Sequence, residues 1–77
     1  MYKLFTKRGC DKCDYVKGFI PKQIELENHD IQSVDGLAEL AELSLVGLAE
    51  KELPILVTTD KVITGAINIK KEFSRFN

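Results

Sequence analysis

Apolar positions along the chain fall into blocks whose spacing changes several times. Tyr2 to Lys7 (YKLFTK) packs aromatic, apolar and basic residues into a short run ahead of Gly9, which predicts a strand. The period then lengthens. Cys13, Val16, Phe19, Ile20 and Ile24 recur at helical spacing and predict a helix from about Asp11 to about Leu26. Pro21 lies inside that pattern, lacks an amide donor and crowds the carbonyl of Lys17. The helix therefore either kinks there, with Gly18 relieving the crowding, or stops near Phe19. His29 to Val34 (HDIQSV) is weakly apolar and predicts a short strand at a sheet edge, where polar residues are tolerated.

Asp35 is placed to cap a second helix, in which Leu37, Leu40, Ala41, Ser44, Leu45 and Leu48 share one stripe and Gly47 loosens the end. That stripe reads as core. Leu53-Pro54 then breaks the chain, and Ile55-Leu56-Val57 is a continuous apolar run suited to a strand buried on both faces. A turn at Thr59-Asp60 leads into a second strand, Lys61 to Thr64, closing a hairpin. After Gly65, the positions Ala66, Ile69, Phe73 and Phe76 mark a final amphipathic helix. The predicted order is strand, helix, strand, helix, strand, strand, helix. The first strands need a crossover and the last two a hairpin, so the expected fold is α/β, a four-stranded mixed sheet with three helices.

At 77 residues the chain reads as one domain, residues 1–77, close to the lower limit for a single core. A formal charge of −1 offers no basic face for nucleic acid. No apolar run is long enough to span a bilayer, and Met1 leads directly into strand-like sequence. We therefore expect a cytoplasmic protein that engages neither nucleic acid nor membrane and acts as a monomer.

The chemistry concentrates at Cys10 and Cys13, the two cysteines of the chain. A secreted mini-protein of this size would carry more of them, spread along the sequence. A bridge between Cys10 and Cys13 closes too short a loop to stabilise the fold much. A dithiol switch needs a reachable thiolate and a second sulfur close enough to resolve a mixed disulfide. The predicted strand-to-helix junction supplies both. Cys10 meets the free N–H groups and positive dipole end of the helix, while Cys13 lies one turn later on the apolar stripe. Lys7, Arg8 and Lys12 add positive potential around the pair and Asp11 opposes it, so the net influence favours the Cys10 thiolate. Cys10 is thus the expected nucleophile and Cys13 the resolver.

Two other readings compete. Buried structural thiols are common, but Gly9 and the polar residues between the cysteines favour an exposed turn. Metal binding is the sharper rival. Two thiolates do not complete a zinc or iron–sulfur ligand set, and His29, read as a solvated surface residue, lies a helix away. Two-coordinate Cu(I) suits a thiolate pair, so a metal carrier is the runner-up; no resident metal is expected. A fold kept only for protein interaction is a third reading, opposed by the intact pair.

Three segments in order resemble the glutaredoxin branch of the thioredoxin superfamily. They are Tyr2 to Lys7 with Gly9-Cys10-Asp11-Lys12-Cys13, Leu53-Pro54-Ile55-Leu56-Val57, and Val62-Ile63-Thr64-Gly65-Ala66. The resemblance spans nearly the whole chain and implies a thioredoxin fold. It also implies that Pro54 is cis and sits against the dithiol, that Leu53 offers its backbone to an extended substrate, and that Lys7 matches a glutathione-contacting lysine. The expected activity is thiol–disulfide oxidoreduction on protein disulfides or glutathione mixed disulfides, with no bound cofactor. Electrons would come from glutathione or from a thioredoxin-reductase-type flavoprotein. The sequence departs from the family pattern in two places. Asp11-Lys12 stand between the cysteines in place of Pro-Tyr, and Ala66-Ile67-Asn68 follow Gly65 without a second glycine and acidic pair.

Overall fold

The alternation of Leu4 and Phe5 decides how the layers stack. β1 (Tyr2–Thr6) is a central strand, so its side chains point alternately to two covered faces. It pairs in parallel with β2 (Leu26–Asp30) and antiparallel with β3 (Ile55–Val57), which pairs antiparallel with β4 (Val62–Thr64). The sheet order is β2-β1-β3-β4. Its helices are α1 (Asp11–Lys17), α2 (Val34–Glu42), α3 (Val46–Lys51) and α4 (Ala66–Ser74). The computed structural model describes residues 1–76. The expected α/β class and mixed four-stranded sheet are present, with four helices instead of three.

The register explains the two cores. Leu4 lies opposite Leu56, and both pack with Val16 of α1 and with Ile69 and Phe73 of α4. Phe5 lies opposite Ile55, and both pack with Leu40 of α2, against partly buried Leu45, Leu48 and Ala49. One sheet face is thus covered by α1 and α4, the other by α2 and α3. Glu72 ties α4 to the hairpin, accepting from Lys61 Nζ at 3.1 Å and from Arg75 Nη1 at 3.0 and 3.1 Å.

Three predicted elements differ. The first helix ends at Lys17, with Gly18 as C-cap, so Pro21 lies buried in the following loop. The early stop wins because an added helical turn would place Pro21 where its ring meets the Lys17 carbonyl. Ile20 and Ile24 still reach the first core, which is why the helical spacing read on past the true end. The second strand sits earlier than expected, at Leu26–Asp30 and not at His29 to Val34. It is an edge strand paired only with β1 and largely polar, so composition did not mark it. The following cap is Ser33, whose Oγ accepts from Gly36 N at 3.0 Å; Asp35 stands in the first helical turn.

The third difference is the split of the leucine-rich helix into α2 and α3. Ser44 adopts a left-handed backbone, φ 60°. Its N–H bonds Ala41 O at 3.0 Å and that of Leu45 bonds Leu40 O at 3.0 Å, a Schellman stop without the usual glycine. The apolar stripe resumes beyond the break, with Leu45 and Leu48 facing the same core as Leu40. At the opposite end of the chain, α4 stops at Ser74, and Phe76 lies past it, edge-on to Tyr2 with ring centroids 5.9 Å apart.

Candidate functional site

Gly9 sets the turn out of β1. Its φ of 74° is a conformation that costs other residues strain, and it swings the chain so that Cys10 becomes the N-cap of α1. Cys10 is extended (φ −103°, ψ 107°), and its Sγ accepts from the Cys13 N–H at 3.1 Å, as a capping side chain does. Its carbonyl accepts from Asp14 N at 3.0 Å, so α1 begins at the first sulfur. The two sulfurs are joined as a disulfide, with Cα atoms 5.2 Å apart. Cys10 is half-exposed, whereas Cys13 has no exposure at all and lies beneath it.

This asymmetry carries chemical meaning. When the bridge opens, an N–H aimed at Cys10 Sγ and the helix dipole both favour the thiolate. Cys13, sealed from solvent, is reachable only through Cys10.

Other expected site residues converge to different degrees. Lys7 and Leu53 line one groove with Cys10, together with Ala49, Glu50, Lys51 and Glu52. The Leu53–Pro54 peptide is cis, as the family resemblance implies, and Pro54 is buried with its carbonyl accepting from Gly65 N at 3.1 Å. Lys12 stands on the other side, lining a second groove with Glu52 and the start of α4. Arg8 turns away from the sulfurs. Its Nε lies 3.5 Å from Asp30 Oδ2, and its N–H donates to Gln32 Oε1 at 3.2 Å. Lys7 and Lys12, by contrast, line the grooves beside Cys10 and beside the start of α4.

Two features of the site went unread in the sequence. An apolar groove formed by Ile31, Leu37, Leu40 and Val46 continues the Cys10 groove, with which it shares Lys7, Ala49, Glu50 and Leu53. Glu52 lines both grooves beside the dithiol. Only the stripe of leucines hinted at the first. The second depends on bringing the end of α3 against Thr64 and Gly65, which no spacing rule foretells.

For metal ligands, the described residues also bring Glu27, His29 and Glu39 together, with candidate ligand atoms all within 4.8 Å. His29 is not the solvated residue expected. Its ring stacks on Phe5 with centroids 5.1 Å apart and bonds Glu27 at 3.0 Å, while Glu39 is taken up by the Lys3 ammonium. Glu39 is thus already paired with Lys3, and His29 with Glu27. Comparison of the chain with protein-family models and with curated proteins finds no match in either.

Proposed function

We propose that the protein is a small thiol–disulfide oxidoreductase of glutaredoxin type, built on a thioredoxin fold. The β2-β1-β3-β4 order, the dithiol at the β1–α1 junction and the cis Leu53–Pro54 peptide support the fold assignment. The observation that carries the activity is the pairing of a half-buried Cys10, whose sulfur accepts an N–H, with a fully buried Cys13.

In the reduced enzyme, the Cys10 thiolate attacks one sulfur of a substrate disulfide. A Cys10–substrate disulfide forms and the first substrate thiolate leaves, taking up a proton from solvent. Cys13 then loses its proton and attacks Cys10 Sγ, releasing the second substrate thiolate and forming the Cys10–Cys13 disulfide. Two electrons from a dithiol flavoprotein or from two glutathione molecules restore the pair. The substrates best suited to the groove are protein disulfides, whose flanking apolar residues would rest against Leu37 and Val46. A reducing compartment fits this cycle.

Cys10→Ser is expected to abolish reduction of insulin or of a mixed disulfide. Cys13→Ser is expected to accumulate the mixed disulfide, seen by mass spectrometry as one added substrate thiol. Full activity in both variants rejects the mechanism. Tight one-to-one Cu(I) binding by the reduced protein, without reductase activity, would replace it with the thiolate carrier.

A further inference from the structure

Glu52 shares with Cys10 the lining of one groove. It follows α3 and immediately precedes Leu53 and the cis Pro54. Its N–H caps α3 by bonding Leu48 O at 2.9 Å, and its backbone is extended (φ −154°, ψ 128°). The side chain then crosses to the β4–α4 junction. There Oε2 accepts from Thr64 Oγ1 at 3.2 Å. Oε1 lies so close to Gly65 that a Cβ added there would fall 2.7 Å from it. Gly65, at φ 88°, is the residue that leaves room for this carboxylate.

The position matters for two reasons. The first turn of α4 presents free N–H groups and the positive end of a helix dipole, and no side chain caps it by hydrogen bond. The Glu52 carboxylate lies beside Gly65, the N-cap residue of this turn. Glu52 also lies between two cations, Lys7 in the Cys10 groove and Lys12 in the neighbouring one, and it is the residue that both grooves share. In the Cys10 groove, Lys7 and Lys51 are balanced by Glu50 and Glu52, so removing one carboxylate charge leaves that lining net positive.

We infer that Glu52 is a specificity-determining residue that cancels the attraction Lys7 and Lys51 would exert on anionic disulfides, so that the Cys10 groove does not select for them. This rests on the redox reading above. The preferred substrate is then a protein disulfide chosen by its apolar flanks, and a carboxylate-rich thiol such as glutathione has no electrostatic advantage.

The test uses the full chain with Cys13→Ser, so that each encounter stops at the mixed disulfide. Second-order rates of Cys10 are measured with three disulfides: anionic oxidised glutathione, cationic cystamine and neutral hydroxyethyl disulfide. Glu52→Gln keeps an oxygen for Thr64 but loses the charge. It is expected to raise the glutathione-to-cystamine rate ratio about three- to tenfold at low salt, the size of one charge acting across a wet groove. The shift should shrink as ionic strength rises. Glu50→Gln, the neighbouring carboxylate, is expected to shift the ratio less. A ratio unchanged in Glu52→Gln overturns the inference while leaving the redox reading intact, provided Cys10 reacts with hydroxyethyl disulfide. An equal shift in Glu50→Gln also overturns it, since net charge alone then accounts for the selectivity. Failure of Cys10 to react with any of the three beyond an unstructured peptide thiol removes both readings.

Discussion

The two faces of the sheet are packed to different standards, and the dithiol draws on both. The α1/α4 face holds five fully buried side chains: Leu4, Val16, Leu56, Ile69 and Phe73. The α2/α3 face holds three, Phe5, Leu40 and Ile55, behind a layer of half-buried leucines. Exposed apolar side chains lie on both sides, Val34 and Leu37 on α2 and Tyr15 and Ile67 on α1 and α4. Cys13 belongs to the helix anchored on the deep side and is fully buried there. The apolar groove lined by Leu37 and Val46 opens on the shallow side. The contrast teaches a division of labour: one face buries the second sulfur, and the other is loosely enough filled to offer contact surface.

That contrast is open to a direct challenge by substitution. Phe73→Ala should cost about 3–5 kcal/mol, because it removes a large, fully buried ring from the better-packed face. A domain this size has roughly 4–12 kcal/mol in total, so urea denaturation should find the midpoint lowered by a large fraction of its wild-type value. Leu40→Ala on the other face should cost less, about 2–3 kcal/mol, because the half-buried leucines around it can settle inwards. Equal losses would erase the distinction between the faces.

The Glu72 latch sharpens the same comparison. Burial pushes the Glu72 carboxyl up, but hydrogen bonds and charge from Lys61 and Arg75 outweigh it, leaving the group below its ordinary 4.5. A carboxyl whose pKa is lowered by folding contributes stability that is present above its unfolded value and lost as pH falls through its folded value. Thermal unfolding followed from pH 7 downwards should therefore show the midpoint falling below about pH 4.5, more steeply in wild type than in Glu72→Gln. Identical slopes would mean that the latch does not hold α4 to the hairpin.

The smallest stability effect is expected on the shallow face. Leu37→Asp should change stability by under about 0.5 kcal/mol, since the side chain is half in water already. It should nonetheless raise the KM for a protein disulfide several-fold and leave the KM for hydroxyethyl disulfide where it was. A KM that moves for both substrates, or for neither, argues against Leu37 as contact surface for protein partners.

Some of this molecule was readable from short stretches of sequence. The sulfur pair at a strand-to-helix junction, the buried run Ile55-Leu56-Val57, the hairpin and the start of the last helix each depend on neighbours within a few residues. Their signals are local: a glycine able to take positive φ, a proline, a change of apolar period. The cis state of Pro54 came only through family resemblance, because nothing in the composition of Leu53-Pro54 prefers it.

What the sequence determined by itself was therefore the position of the cysteine pair and the class of the fold. The tertiary structure decided the rest. It moved β2 upstream, because an edge strand is chosen by its pairing with β1 rather than by its own weakly apolar residues. It broke the leucine stripe at Ser44, a stop made by hydrogen bonds to Leu40 and Ala41 and invisible to periodicity because the stripe carries on beyond it. It sent Arg8 to Asp30 and laid Glu52 over Gly65. In each case the deciding contact joins groups brought together by packing, and their energy depends on distances that only the folded chain defines.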